Sequence, residues 1–268
     1  MTIDGATRLV GLIGDPVDHS LSPLMQNAAF AALALDWAYV PLPVKRDRLE
    51  EAVSGLEALG FAGANVTIPH KTAVVAFCDE LDDVAVRAGS VNTLVARDGR
   101  VLGSSTDGPA VVGLVEAEGA RVLVLGAGGG AQAVATSLGD AGAESITVAA
   151  RDAERAHALA VRLRTLFADR EISAETDWPP STGGATLLVN ATPIRDEVLV
   201  DLSAWLQVVD LAYKQDGSDT ALVAAARKAG CNAIVDGLDV LIAQGAASFE
   251  SWTGLEAPVA VMRAALSR

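Results

Sequence analysis

The sequence predicts an α/β protein of two domains, and three observations predict it. Short apolar runs alternate with helix-length segments along most of the 268 residues, the pattern of strands and helices packed in layers. A glycine-rich turn, Gly126 to Gly130 followed by Ala131, separates one such run from one such helix. The two helical segments that close the chain, 238–252 and 256–266, have no strand of their own, so the chain is expected to return to its first domain. The expected division is 1–107 plus 238–268 for the first domain and 108–237 for the second, each with a parallel sheet.

The elements follow in order. Residues 9–14 (LVGLIG) form an apolar run that stops at Gly14 and Pro16 and read as a buried strand. Ser22 as N-cap with Pro23 at the first helical position starts a helix over 23–35. A strand at 37–42, an amphipathic helix at 45–59 and a strand at 62–66 lead into NVTIPHK. A helix is expected after Lys71 and another over 79–88, then strands near 91–96 and 100–103. A helix from Gly108 to Glu118 precedes the strand 121–125 (RVLVL), the glycine-rich turn and its helix. Strand 145–150, helix 152–167, a polar stretch at 177–184, strands 185–190 and 207–212, helix 218–229 and strand 232–235 complete the second domain.

Composition narrows the function. With 51% hydrophobic and 20% charged residues the chain is ordinary for a globular protein, and with 4% aromatics its core must be filled by Ala, Val and Leu. A net charge of −14 repels nucleic acid and anionic membranes, so neither is expected as a partner. Cys78 and Cys231 have no CxxC spacing, which reads as two buried thiols in a reducing, cytoplasmic setting. No basic region followed by an apolar stretch opens the sequence, and the longest apolar runs, such as 28–35, are too short to span a bilayer. No His/Cys/Asp/Glu set has metal-ligand spacing, so no metal is expected.

Gly126, Gly128 and Ala131 fit G-x-G-x-x-A between a strand and a helix. The first glycine permits the tight turn, the second lets a pyrophosphate approach the backbone, and the alanine lets helix and strand pack closely. The helix N-terminus, including Ala127, Gly129 and Gly130, then offers amide donors to phosphate. This makes the second domain Rossmann-like, although the turn alone also fits a plain strand-to-helix connection. After the next strand, Ala150-Arg151-Asp152 runs on to Arg155. Arg151 and Arg155, four apart on one helix face, suit the 2′-phosphate of NADP. They equally fit a solvated helix start with local ion pairs, and Asp152 suits the ribose 2′-hydroxyl of NAD.

Polar clusters stand at expected strand ends in the first domain: Ser20-Leu21-Ser22-Pro23, then Asn65-Val66-Thr67 with Lys71, and Asn92 with Ser105-Thr106-Asp107-Gly108. Ligands of open α/β sheets bind there. These hydroxyls and amides suit a small polyhydroxylated acid. A Lys with an Asp suits alcohol–ketone chemistry, the ammonium stabilising and protonating a developing alkoxide. The residue types alone fit a surface ion pair equally well.

The motif series resolves these choices by resemblance. SLSP at 20–23, NVTIPHK at 65–71, AGSVNTL at 88–94, STDG at 105–108, GAGGGA at 126–131, NATP at 190–193 and DGLDVLIAQ at 236–244 resemble the shikimate dehydrogenase family, in its order and across nearly the whole chain. The resemblance implies reversible reduction of 3-dehydroshikimate to shikimate with NADPH, in a cytoplasmic monomer or homodimer. It implies Lys71 as catalytic lysine and Asp107 as its partner. Ser20 and Ser22 would hold the substrate carboxylate. Asn65, Thr67, Asn92, Tyr213 and Gln244 would meet the rest of the substrate. The cofactor would lie on 126–131, on Ala150, Arg151, Asp152 and Arg155, on Asn190, Ala191 and Thr192, and on Leu211 and Gly237, with Asp83 also near it. Domain closure over a cleft is part of the same implication. The chain departs from the family pattern at Ala150-Arg151-Asp152, where Asn-Arg-Thr is usual, at Ser104-Ser105, at Asp239, and after Tyr213, where a Pro is usual. The rival readings are an NAD-dependent quinate/shikimate dehydrogenase and a non-catalytic ligand sensor.

Overall fold

The computed structural model describes residues 3–204 and 206–267. The chain divides into two compact units, Met1–Thr106 with Leu241–Arg268, and Asp107–Val240.

The first unit is built on a six-stranded sheet. Its strands are β1 (Arg8–Gly14), β2 (Trp37–Pro43), β3 (Phe61–Val66), β4 (Glu80–Leu81), β5 (Thr93–Arg97) and β6 (Arg100–Ser104), in the spatial order β2-β1-β3-β5-β6-β4. β1 is central and buried on both faces, which is why it reads as an unbroken apolar run. The expectation of a parallel sheet is corrected here: β5 runs antiparallel to both β3 and β6. The cause is local. Asp98 and Gly99 both adopt positive φ, 54° and 75°, making the two-residue hairpin turn that Asp-Gly favours. The reversal has a structural consequence. Asn65 on β3, Thr93 on β5 and Ser104 on β6 are in register, so the end of β3, the beginning of β5 and the end of β6 share one edge of the sheet.

Helices α1 (Ser22–Ala32), α2 (Leu49–Ala58) and α3 (Asp83–Ala88) belong to this unit. Ser22 is the first residue of α1 and not its cap. Leu21 occupies the cap without a side-chain hydrogen bond, and the Ser20 hydroxyl accepts from the Ser22 N–H at 3.2 Å. The helix expected after Lys71 is only a 3-10 turn, Ala73–Phe77. The one expected over 79–88 is split into β4 and α3, because the Asp82 carboxylate caps α3 by accepting from the Ala85 N–H at 2.6 Å.

The second unit opens with α4 (Asp107–Val112), six residues long where a helix to Glu118 was expected. Gly113 follows at once, and glycine costs about 1 kcal/mol in a helix interior. Its sheet comprises β7 (Arg121–Leu125), β8 (Ser145–Ala149), β9 (Glu171–Glu175), β10 (Leu187–Asn190), β11 (Gln207–Asp210) and β12 (Ala233–Val235), all parallel. The order β12-β11-β10-β7-β8-β9 is that of a doubly wound dinucleotide-binding sheet, and the winding reverses between β7 and β10. β9 went unread in the sequence because EISAE carries little apolar signal. Helices α5 (Gly129–Asp140), α6 (Ala153–Leu166) and α7 (Ala221–Ala229) cover the sheet. Alternation along β7 sends Val122 and Val124 into one apolar layer with Ala131, Val134 and Leu138 of α5, and Leu123 and Leu125 into the other with Leu188, Val208 and Leu222. The boundary between the units falls inside α8 (Gly237–Thr253), and α9 (Val259–Leu266) packs against α1 in the first unit. Among the described residues no helix is long and apolar enough to cross a membrane.

Candidate active site

In the first unit the polar side chains at the shared sheet edge bind one another. Asn92 stands just before β5. Its Oδ1 accepts from the Thr106 N–H at 2.7 Å, and its Nδ2 donates to Thr106 Oγ1 at 2.8 Å and to Gln244 Oε1 at 3.2 Å. The Thr106 hydroxyl donates to the Gln244 carbonyl at 3.1 Å. Asn65, at the end of β3, is braced from behind. Its Oδ1 accepts from the Tyr39 hydroxyl at 2.9 Å, and its Nδ2 lies 3.0 Å from the Asn92 carbonyl, 3.2 Å from Thr93 Oγ1 and 2.9 Å from Ser248 Oγ. Ser248 also meets Thr93 Oγ1 at 2.8 Å, which ties α8 to the sheet edge, and donates within its own helix to the Gln244 carbonyl at 3.0 Å.

Thr67 leaves β3 with its N–H donating to the Ile13 carbonyl at 2.8 Å, and its methyl fills the space a Cβ on Gly14 would need. Buried His70 places Nε2 2.7 Å from the Val44 carbonyl, so its ring holds a neighbouring loop. Lys71 is half-buried, and its carbonyl accepts from the Val91 N–H at 2.8 Å. The Lys71 main chain and the residue before Asp107 are thus both fastened to the Val91–Asn92 segment. Ser22 is buried and Ser20 half-buried at the start of α1. Asp83 is exposed in the first turn of α3, in the first unit.

In the second unit Asp107 is buried at the start of α4. A Cβ on Gly108 would strike the Ser137 side chain on α5, so glycine lets the two helices meet. The glycine-rich turn has the geometry its spacing called for. Gly126 has φ 112°, and a Cβ there would lie 3.0 Å from the Ala191 carbonyl, so the turn threads beside the loop after β10. Gly128 is the extended N-cap of α5 and would meet nothing within 4 Å; Gly130 would meet only Leu211 Cδ2 at 3.7 Å. Open space therefore lies over a helix N-terminus whose amides point outward, and a dinucleotide pyrophosphate fits this cradle.

After β8, Asp152 caps α6 by accepting from the Arg155 N–H at 3.2 Å. The Arg155 guanidinium reaches the Ala127 carbonyl of the glycine-rich turn at 3.4 Å, and Arg151 is exposed beside half-buried Ala150. At the end of β10 Asn190 Oδ1 accepts from both the N–H and the hydroxyl of Thr192, at 3.1 and 2.6 Å. Half-buried Leu211 and Tyr213 flank buried Ala212, and a Cβ on Gly237 would strike the Ala212 carbonyl.

Sequence reasoning did not single out Tyr39, Asp210 or Ser248, and it named Thr106 only as part of the polar cluster at 105–108. Thr106 lies inside the quoted STDG segment and could have been read from it. Tyr39 and Ser248 pair with residues 26 and 183 positions away, a proximity no local pattern carries. Asp210 is fully buried at the end of β11. Burial pushes its carboxyl above the usual range, against hydrogen bonds from Thr220, Ala212 and Asn190 that pull it down, while Asp236 adds repulsion. Among the described residues no group of three or more His, Cys, Asp or Glu is placed to hold a metal ion.

Known proteins resemble this chain in sequence and fold. Residues 12–94 match the shikimate dehydrogenase substrate binding domain, residues 111–174 match the shikimate / quinate 5-dehydrogenase family, and residues 237–266 match the shikimate 5′-dehydrogenase C-terminal domain. The chain is 45% identical to the shikimate dehydrogenase (NADP+) of Rubrobacter xylanophilus, over 99% of this chain and 97% of that one. Shikimate 5-dehydrogenase of Thermus thermophilus, solved with NADP(H) and shikimate, superposes with a TM-score of 0.83 at 32% identity over 97% of this chain and 98% of that one. Quinate dehydrogenase of Corynebacterium glutamicum, solved with NAD, gives the same TM-score and identity over the same shares. On these matches, the chain belongs to the shikimate dehydrogenase family.

Proposed function

We propose that this protein is an NADP-dependent shikimate dehydrogenase that interconverts 3-dehydroshikimate and shikimate, the reductive direction serving aromatic amino-acid biosynthesis. The observation that carries the reading is the common anchorage at Val91–Asn92. It holds the main chain of Lys71 and the residue preceding Asp107 at one sheet edge lined by amides and hydroxyls.

Lys71 is the proton donor. Its ammonium stabilises negative charge growing on the carbonyl oxygen and delivers a proton there; in the oxidative direction the neutral amine takes that proton back. A bound nicotinamide supplies or accepts the hydride. The Asp107 carboxylate orients the ammonium and a substrate hydroxyl. Ser20 and Ser22 receive the substrate carboxylate, since hydroxyls at a helix start can donate to it. Thr67, Asn92, Tyr213 and Gln244 meet ring hydroxyls. Asn65 is assigned to the ring hydroxyls as well, and its Nδ2 braces the Asn92 carbonyl at 3.0 Å.

For the cofactor, residues 126–131 take the pyrophosphate, and Arg151 and Arg155 take the 2′-phosphate. Asn190, Ala191, Thr192, Leu211 and Gly237 line the remainder, and Asp83 is the outlying candidate. Asp152 serves as a helix cap in this reading. A second reading, NAD-dependent oxidation of quinate or shikimate, draws on the same carboxylate, which would accept from a ribose hydroxyl. A cytoplasmic monomer or homodimer fits either reading, and Cys78 and Cys231 are free thiols.

Replacing Lys71 by Met tests the catalytic assignment. The expected result is a kcat lower by roughly 10²–10⁴ with shikimate affinity changed only a few-fold. Near-normal turnover would refute the role.

A further inference from the structure

We infer that Asp210 is a positioning residue for the cofactor: its carboxylate clamps together the loops that follow β10 and β11 and the start of α7. The inference rests on the proposed dehydrogenase reading and adds a residue to it.

Three donors converge on this one side chain. Oδ1 accepts from Asn190 Nδ2 at 2.8 Å and from the Ala212 N–H at 3.0 Å, and Oδ2 accepts from the Thr220 hydroxyl at 2.5 Å. The donor directions are fixed by the outer partners. Asn190 Oδ1 faces the Thr192 N–H, an unambiguous donor, so the Asn190 amide must turn its NH₂ toward Asp210. Thr220 Oγ1 already accepts from the Val223 N–H at 3.2 Å as the N-cap of α7, so its proton is directed at Asp210. A group that only accepts is required at the centre, and an ionised carboxylate is such a group.

The clamp bears on the cofactor cradle from two sides. Through Asn190 it orders Ala191 and Thr192, whose carbonyl and methyl lie 3.0 and 3.5 Å from where a Gly126 Cβ would be. The Thr192 hydroxyl in turn accepts from the Ile194 N–H at 3.2 Å, and the Arg195 carbonyl accepts from the Ala221 N–H at 2.7 Å, so the loop is closed against α7. Through its N–H the clamp holds Ala212, the residue whose carbonyl forbids any side chain at Gly237. Asp210 itself is fully buried, so it acts through these groups.

Asp210→Asn keeps the shape and puts a donor where three donors already point. The test is direct titration of NADPH by its fluorescence, together with KM for NADP and for shikimate in the wild type, Asp210→Asn, Asp210→Glu and Thr220→Val, with circular dichroism as the check on folding. The expected result for Asp210→Asn is NADPH affinity down at least about tenfold, with KM for shikimate at saturating NADP within about twofold of wild type. Asp210→Glu, which restores an acceptor, is expected to recover part of the loss. Thr220→Val, which leaves two of the three donors, gives a smaller loss of the same kind and carries the test if Asp210→Asn does not fold. NADPH affinity within twofold of wild type in the folded variants overturns the inference, and so does an equal rise in both KM values. A wild-type protein that binds NADPH without turning over shikimate would refute the dehydrogenase reading and leave the NADPH titrations to decide on Asp210.

Discussion

The sheet edge of the first unit and the glycine-rich turn of the second, the two proposed ligand sites, are built by opposite means. At the sheet edge, Asn65, Asn92, Thr106, Gln244 and Ser248 fix one another through side-chain bonds, so recognition is pre-set by a polar network. At the turn, side chains are withheld. Gly126 allows a left-handed bend, Gly128 and Gly130 leave space open, and backbone amides remain to meet phosphate. A network of side chains discriminates among hydroxyl patterns, because each wrong partner strands a buried polar group. A bare helix start accepts any pyrophosphate, so discrimination between NADP and NAD must come from elsewhere, and the proposed function assigns it to Arg151, Asp152 and Arg155.

Substitutions on either side of this contrast should separate the two ligands. The largest effect is expected from Gly126→Val, which puts a side chain at positive φ against the Ala191 carbonyl. If the shifted turn loses two amide–phosphate bonds, at about 1.5 kcal/mol each, NADP affinity falls about a hundredfold. Titration of NADP reads this, and shikimate KM in any residual activity should hold steady. Asn92→Ala breaks the other side. It leaves the Thr106 N–H without its acceptor in a buried place, at a cost of about 1–3 kcal/mol, and should raise shikimate KM roughly tenfold while NADP KM moves little. Equal changes in both KM values would erase the contrast between the two regions.

The arginine side sharpens it further. Arg155→Ala is expected to raise NADP KM about tenfold and to leave NAD KM alone. Asp152→Ala should cost about 1 kcal/mol of stability as a lost helix cap, a melting shift of about 2–4 °C, without loss of NADP turnover. Selective loss of NAD-linked turnover in that variant would give Asp152 the ribose role instead.

The contrast also explains what the sequence made legible. The turn is encoded in six consecutive residues, 126–131, whose spacing alone dictates the strand-turn-helix geometry, so both its place and its shape were readable. The sheet edge assembles residues from 39 to 248, and only their types were readable. Thr106 was within a quoted motif, yet its part in holding Asn92 depends on β5 running backwards. An apolar run carries no sign of its direction. The Asp98-Gly99 pair did carry one, as a hairpin signal, and would have predicted the reversal. Helix ends were misjudged where a local feature decided them: the Asp82 cap bond starts α3 late, and the helix cost of Gly113 ends α4 early. Asp210 looked like any strand-end carboxylate until Asn190, Ala212 and Thr220 were seen to converge on it.

The proposed division of labour, with a sheet edge that selects shikimate and a phosphate-binding turn whose flanking Arg151 and Arg155 select NADP, is tested most directly by initial rates with purified protein. Shikimate and quinate are each offered with NADP and with NAD, and the absorbance of reduced nicotinamide is followed. The expected result is turnover with shikimate and NADP at a kcat/KM at least about tenfold above each other pairing. A higher kcat/KM with NAD or with quinate, or no turnover in any pairing, would contradict it.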